Sequence, residues 1–374
     1  MSFEQAKKRS GLTLTELLVV VSIMVVVAGA LVPLVQPIMK GRNTREAVRQ
    51  LNVMISGAQA RAVAKGRPVG IWLERAAHEP NEPPDRWYAV YKVFYAEEPT
   101  PYTGDFYDSR VMISQNDQKA SDRTIWHAVF TPGTAPSAIK LVRPGDSIRL
   151  NQRGPRYPVI SLDPLKVSFR VSPTTPMPFS PQRYINQPMG TRYEVFRQPK
   201  KSMVAPIEMP NNTAIDLSVS GYSTLGNPTP TSFRLASPEY DVAMMFSPDG
   251  GIDTIYYISH EPNVLTFSER PAGNVSLLIG RSDKIGQDLN KVINVTNDYQ
   301  QNAQGPMGLA SLEEKTNIWM TIASHSGRTQ SGPNAGLSLA TLANLSGNPN
   351  AIDARTLIGE CRQFADTGQS LGGR

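Results

Sequence analysis

The chain has 374 residues, 40% of them hydrophobic, with 28 Gly, 31 Pro and a single Cys. That is enough apolar material for one large core or two modest ones, and it excludes a collagen, a disulfide-stapled mini-protein and a wholly disordered chain. A formal charge of +6 is mild for this length and permits a nucleic-acid or anionic-membrane partner without arguing for one; the Gly and Pro content argues against a mostly helical protein.

From Leu17 to Met39 no residue is charged. Leu17 to Val35 would span roughly 28 Å as a helix, about one bilayer core, and in hydrocarbon only a helix satisfies the backbone of such a run. Lys7, Lys8 and Arg9 precede it as in a secretory signal. The run, however, exceeds the roughly 7–15 residues of a signal's apolar core, and no small-x-small cleavage site follows. Just ahead stands Ser10-Gly11-Leu12-Thr13-Leu14-Thr15-Glu16, which puts a carboxylate at the start of the span. A charge costs on the order of 2.5–3.5 kcal/mol at the centre of a spanning helix and less near its end. The residues alone leave two readings level: Glu16 reaches for the headgroups, or it awaits a cationic partner in an assembly.

Gly11-Leu12-Thr13-Leu14-Thr15-Glu16 resembles the class III signal of type IV prepilins and type II secretion pseudopilins: glycine, an apolar residue, Thr-Leu, glutamate at the fifth mature position, then an apolar helix. Leu12 stands where Phe or Met is commoner. The resemblance implies cleavage between Gly11 and Leu12 by a membrane-embedded prepilin peptidase, which then N-methylates Leu12. It also implies that Glu16 pairs with the new amine of a neighbouring subunit and so sets register in a filament. The physics agrees, because a carboxylate in apolar surroundings strongly prefers an opposite charge, and a glycine lets a protease approach the backbone closely. Loss of residues 1–11 removes Glu4, Lys7, Lys8 and Arg9 and lowers the formal charge from +6 to +4. Lys40, Arg42, Arg45 and Arg49 follow the span, so basic flanks do not decide topology. A cytoplasmic N-terminus, a single inner-membrane span and a periplasmic head rest on the resemblance.

Pro33, Pro37 and Gly41 predict a kink or loosened stretch over 33–42. Beyond it Ala47, Leu51, Met54, Ile55, Ala58 and Ala62 recur at three and four, one apolar helix face. Asn43 with Glu46 would cap this helix if the chain breaks there, and Lys65-Gly66 with Pro68 ends it. The stretch Ala60-Arg61-Ala62-Val63-Ala64-Lys65-Gly66-Arg67-Pro68-Val69 is similar to the helix end and first strand of the H-type (GspH/FimT-like) minor pseudopilins and pilins. The two resemblances together cover about residues 5–73.

After Val69 come short strand-like runs: 69–73, 87–95, 125–130, 166–171, 191–196, 214–219, 232–235, 242–246, 254–258, 275–279 and 317–322. Val167/Phe169/Val171, Ile215/Leu217/Val219 and Ile318/Met320/Ile322 alternate cleanly, and Ser247-Pro248-Asp249-Gly250-Gly251 reads as a hairpin turn. Asp249 could meet a cation there, although a turn residue is the simpler reading. The Pro-rich stretch 172–188 reads as a loop. From Ser326 the composition turns to Ser, Gly, Asn and Gln, a linker by composition. Ala354, Leu357, Ile358, Cys361, Phe364 and Ala365 then form an amphipathic stripe with Asn350 as its cap, a helix docked on its own head or one that binds a partner. On that face Cys361 reads as buried filler.

The expected fold class is therefore α+β. A leader occupies 1–11, and a long helix 12–66 has a membrane half, 12–39, and an amphipathic half, 40–66. That helix packs on an enlarged, mainly antiparallel β head over 67–325 with an insertion around 75–200. A flexible tail over 326–374 carries a short helix near 351–365.

No catalytic or cofactor motif appears: no GxSxG, P-loop or dinucleotide fingerprint. His78, His127, His260 and His325 show no metal-ligand spacing, so no metal is expected. The expected function is a non-enzymatic, pilin-like structural subunit of a secretion or pilus filament, acting with prepilin peptidase, other pilins and the inner membrane. The alternative partner is DNA, through Arg328, Arg355, Arg362 and Arg374 of the tail, as in FimT-like minor pilins. A membrane-anchored enzyme is the third reading, and nothing in the head supports it.

Overall fold

A computed structural model describes residues 14–79, 82–115, 124–130, 137–163, 166–172, 190–224, 227–233, 238–261, 264–286, 310–336 and 354–367; for 28–40, 85, 115, 139, 223–224, 227–230 and 354–356 it describes the backbone alone. The leader with Gly11 and Leu12, the stretch 173–189 and Asn350 lie outside the described residues.

Helix α1 runs from Leu14 to Lys65, 52 residues without a break, a rod of about 78 Å at the usual helical rise. It continues across Pro33, Pro37 and Gly41, so the prolines do not end it. Asn43 accordingly caps nothing; its side-chain amide donates to the Asn211 carbonyl at 3.1 Å. The helix stops where Gly66 turns to φ 61°, a left-handed conformation that costs a glycine least.

Among the described residues two antiparallel sheets follow. The strands of the first are β1 (Val69–Arg75), β2 (Ala89–Glu97), β9 (Lys200–Lys201), β10 (Ile207–Glu208), β11 (Thr213–Thr224), β12 (Asn227–Ser232), β13 (Tyr240–Phe246), β14 (Ile252–Ser259), β15 (Phe267–Glu269), β16 (Val275–Arg281), β17 (Ile318–Ile322) and β18 (Thr329–Pro333). Their spatial order is β15-β14-β13-β1-β2-β11-β16-β17-β18, with β9 and β10 on β2 and β12 on β11. The second sheet orders β3 (Val111–Gln115), β4 (Ile125–Phe130), β7 (Lys166–Arg170), β6 (Tyr157–Asp163), β5 (Ser147–Leu150) and β8 (Tyr193–Phe196) side by side. All of its strands come from residues 111–196, and it has its own core of Val111, Phe130, Ile148, Tyr157, Phe169 and Tyr193. The antiparallel β head beside helical elements is an α+β arrangement.

The first sheet takes its core from the stripe of α1. Ala47, Leu51, Met54, Ile55, Ala58 and Ala62 are fully buried against Val69, Ile71, Leu73, Val93, Leu217, Met244 and Leu277. Alternation along β1 and β11 explains the fit, since residues two apart share one face of a strand. The polar side of α1 is tied down as well: Gln59 Nε2 donates to the carbonyls of Gly250 (3.2 Å) and Gly327 (2.8 Å). The hairpin turn at 247–251 closes with Gly250 N donating to Ser247 O at 2.9 Å and Ser247 N to Gly251 O at 2.8 Å.

Of the run 232–235, Ser232 ends β12 and Phe233 lies just past the strand, while 234–235 lie outside the described residues. One expectation is corrected. The linker from Ser326 is in part sheet, because β18 pairs with β17 from Ile322↔Thr329 to Ile318↔Pro333. A backbone ladder needs no apolar pattern, so Thr-Gln-Ser-Gly-Pro is eligible for an edge strand, and proline is tolerated at its end. Helix α2 (Ala138–Leu141) is one short turn, and α3 (Ala354–Thr367) closes the described chain. Leu357, Ile358, Cys361 and Ala365 of α3 are buried on its own head.

Candidate functional site: the uncovered half of the first helix

The two ends of α1 differ in what they touch. Between Leu14 and Val27 the described side chains are exposed, Leu18 by 60% and Val26 by 71%, while Leu51 in the same helix is wholly buried. Valine and isoleucine dominate this stretch; they are modest helix formers in water, and apolar side chains at such density on every side of a helix have no reason to stay in water. The head covers 44–62 only where the stripe faces the sheet. Residues 14–27 thus form an apolar rod that the chain itself does not bury.

Glu16 occupies the first turn of this rod, where a carboxylate is favoured by the unsatisfied N–H groups of a helix start. Ser22 Oγ bonds back to Leu18 O at 2.8 Å, hiding its hydroxyl along the helix. Among the described residues no helix is long and apolar enough to cross a membrane; the described side chains of the first half end at Val27 and resume at Gly41. Pro33 and Pro37 lie between, within helical backbone.

The other candidates fall elsewhere. Asp249 is an exposed turn residue. His127 is buried, with Nδ1 2.9 Å from Ser168 Oγ, and His325 is exposed. Arg362 does not face solvent as a basic tail residue would. It is buried, donates from Nη2 to Val219 O at 2.6 Å, and lies over the Trp319 ring. Arg328 is exposed; Arg374 lies outside the described residues. Burial holds the Cys361 thiol up at about 12, which suits inert packing.

One constellation has no counterpart in the sequence reading. The Asp241 carboxylate is fully buried between His78 and His260. Burial alone would raise it, but hydrogen bonds from His260, His78, the Arg75 backbone and Trp72 outweigh that and hold it far below the ordinary carboxylate range. His78 and Asp241 are 163 residues apart in sequence, so no local spacing marks them; only the adjacency of β1, β13 and β14 joins them.

A family model, the prokaryotic N-terminal methylation motif, matches residues 6–32. The chain therefore carries a type IV pilin-like signal peptide, placed so that the motif runs from the leader into the uncovered half of α1. No curated protein and no solved structure matches the chain significantly.

Proposed function

We propose that the chain is the precursor of a minor pseudopilin or minor pilin of the H type, a structural rather than catalytic subunit of an envelope-spanning filament. The observation that carries the reading is that the methylation motif leads directly into an apolar helical stretch, 14–27, which the head leaves bare. Prepilin peptidase cuts between Gly11 and Leu12 and methylates Leu12. Residues 12–39 lie in the inner membrane with the N-terminus cytoplasmic and the head periplasmic, and then pack against the same segment of neighbouring subunits. Close helix packing supplies the association, and repeated non-closing contacts generate a helical fibre.

In this scheme Glu16 fixes register. A carboxylate held among apolar helices finds its counter-charge in the methylated amine of the adjacent subunit, and a subunit one turn out of place leaves both charges unpaired at considerable cost. The substitution Glu16→Ala separates processing from assembly. The variant is expected to lose its leader like the wild type but to be depleted from sheared or cross-linked filament fractions. Wild-type incorporation of the variant would overturn the pairing.

A further inference from the structure

We propose that the head carries a transition-metal site, of the class that binds Zn²⁺, formed by His78, Asp241 and His260. The three residues come from one end of three adjacent strands: His78 from the turn Ala76–His78 after β1, Asp241 from the start of β13, His260 from just past β14. The register places Asp241 opposite Ile258 and Val242 opposite Leu73, so the end of the sheet collects all three without a long loop. His260 Nε2 stands 2.7 Å from Asp241 Oδ2 and His78 Nε2 3.4 Å from Oδ1. One donor atom from each residue lies within 4.8 Å of the others.

Two imidazoles and a carboxylate form a donor set that suits zinc and its late first-row neighbours and suits Ca²⁺ or Mg²⁺ poorly. Donor atoms about 2.0–2.2 Å from one tetrahedral ion stand roughly 3.3–3.6 Å apart; the His78–Asp241 pair at 3.4 Å already matches, and the His260–Asp241 pair at 2.7 Å must open to admit the ion. The carboxylate is oriented from behind, as in metal sites generally: Trp72 Nε1 donates to Oδ2 at 2.7 Å and Arg75 N to Oδ1 at 2.8 Å. The imidazole centroids are 3.7 Å apart with a 35° tilt. Both rings are free to part by the ångström or so that a tetrahedral ion needs, since the His78 and His260 side chains are partly exposed (24% and 41%). His260 also lines a cleft of about 390 Å³ with Ser259, Lys200 and Lys201, so its ring meets solvent on that side.

Two cations oppose the ion: the buried Arg75 guanidinium, which acts electrostatically on Asp241, and Lys201. Lys201 Nζ lies 3.5 Å from Asp241 Oδ2 and pairs with Glu74. Neutralising it removes a positive charge beside the ion and frees a carboxylate, so the site should tighten by about tenfold or more at such separations. The alternative, in which both histidines merely donate hydrogen bonds to a buried carboxylate, predicts no stoichiometric metal and no such gain.

The test uses full-length protein in detergent, stripped with chelator and dialysed against Zn²⁺ or titrated with Co²⁺ as a spectroscopic probe. The expected result is one ion per chain at micromolar free metal, unaffected by millimolar Ca²⁺, with the Co²⁺ absorption of a low-symmetry nitrogen–oxygen site. His78→Gln and His260→Gln each remove a direct ligand and should weaken binding by about 100-fold or more, beyond the 10–100-fold typical of an outer-shell partner; Lys201→Gln should strengthen it. His127→Gln, a buried histidine elsewhere, should leave it unchanged, and thermal melts of the metal-free variants establish that each is folded. Failure of the folded wild type to bind zinc at micromolar metal would overturn the site. So would folded His78 and His260 variants that bind as the wild type does, or a Lys201→Gln variant that binds no tighter.

Discussion

Leu51 and Leu18 are the same residue on the same helix, one wholly buried in the head core and the other 60% exposed. Substitution of each by alanine separates what the two halves of α1 do. At Leu51 the atoms removed forfeit about 2 kcal/mol of transfer free energy. The void lies between a helix and a sheet already pinned by Gln59 and the β1–β13 pairing, so it closes only partly and adds about 1–2 kcal/mol. The total, about 3–4 kcal/mol, changes the folding equilibrium by a few hundredfold or more. Urea unfolding of full-length protein in detergent, followed by tryptophan fluorescence with Trp319 fully buried in the same sheet, should show the midpoint fall by about 1–2 M at ordinary slopes. Leu18→Ala should leave the head within about 0.5 kcal/mol of wild type, as surface changes do. Equal losses in both variants, or no loss at Leu51, would refute the division of the helix into a packed half and a free one.

Other outcomes follow from the same geometry. A Cβ at Gly70 would stand 1.9 Å from the Met244 carbonyl oxygen and 2.8 Å from Met245 Cα; because β1 and β13 are locked in register, Gly70→Ala should cost about 2 kcal/mol or more, read as a lowered melting temperature. Asp146 is buried and, although Gln198 N and Arg143 N donate to it, burial pushes its carboxyl up to about 6. The unfolded carboxyl titrates near 3.9, so the folded state binds the proton more tightly. The resulting stability is fully present below about pH 4 and is lost, by roughly 2–3 kcal/mol, as pH rises through 6. Denaturation of wild type and Asp146→Asn should therefore show their difference move toward the wild type by that amount between pH 7 and pH 4. Arg362→Met keeps bulk but strands the Val219 and Thr231 carbonyls, at about 2–3 kcal/mol. It should loosen α3 and make Cys361 reactive to thiol reagents at pH 8, where the buried wild-type thiol is expected to be inert.

The sequence displayed those parts of the fold whose side chains carry a period. Ala47 to Ala62 repeat at three and four and all six are buried; Ile215 and Leu217 alternate and share the core with Met320 and Ile322. It was silent where the backbone does the pairing. Thr329–Pro333 has no apolar pattern and forms an edge strand, and Asn227–Ser232 holds two prolines yet pairs with β11. Short strands such as Ser147–Leu150 give too few residues for a period to show. Arg362 looked like solvent-facing charge because a helix stripe does not reveal that its neighbour will meet free carbonyls of two strands. The Asp241 cluster was hidden most completely: β1 has β13 as its neighbour, with most of the head intervening in sequence, so the three residues meet only through topology. The N-terminal motif, by contrast, is written in consecutive residues and needs no fold to be read.

The most direct measurement is the mass of the N-terminal peptide of protein extracted from membranes of cells that contain prepilin peptidase. The expected peptide starts at Leu12 and carries one added methyl group on its amine. A chain that still begins at Met1, or one cut beyond the apolar half of α1, would contradict that processing.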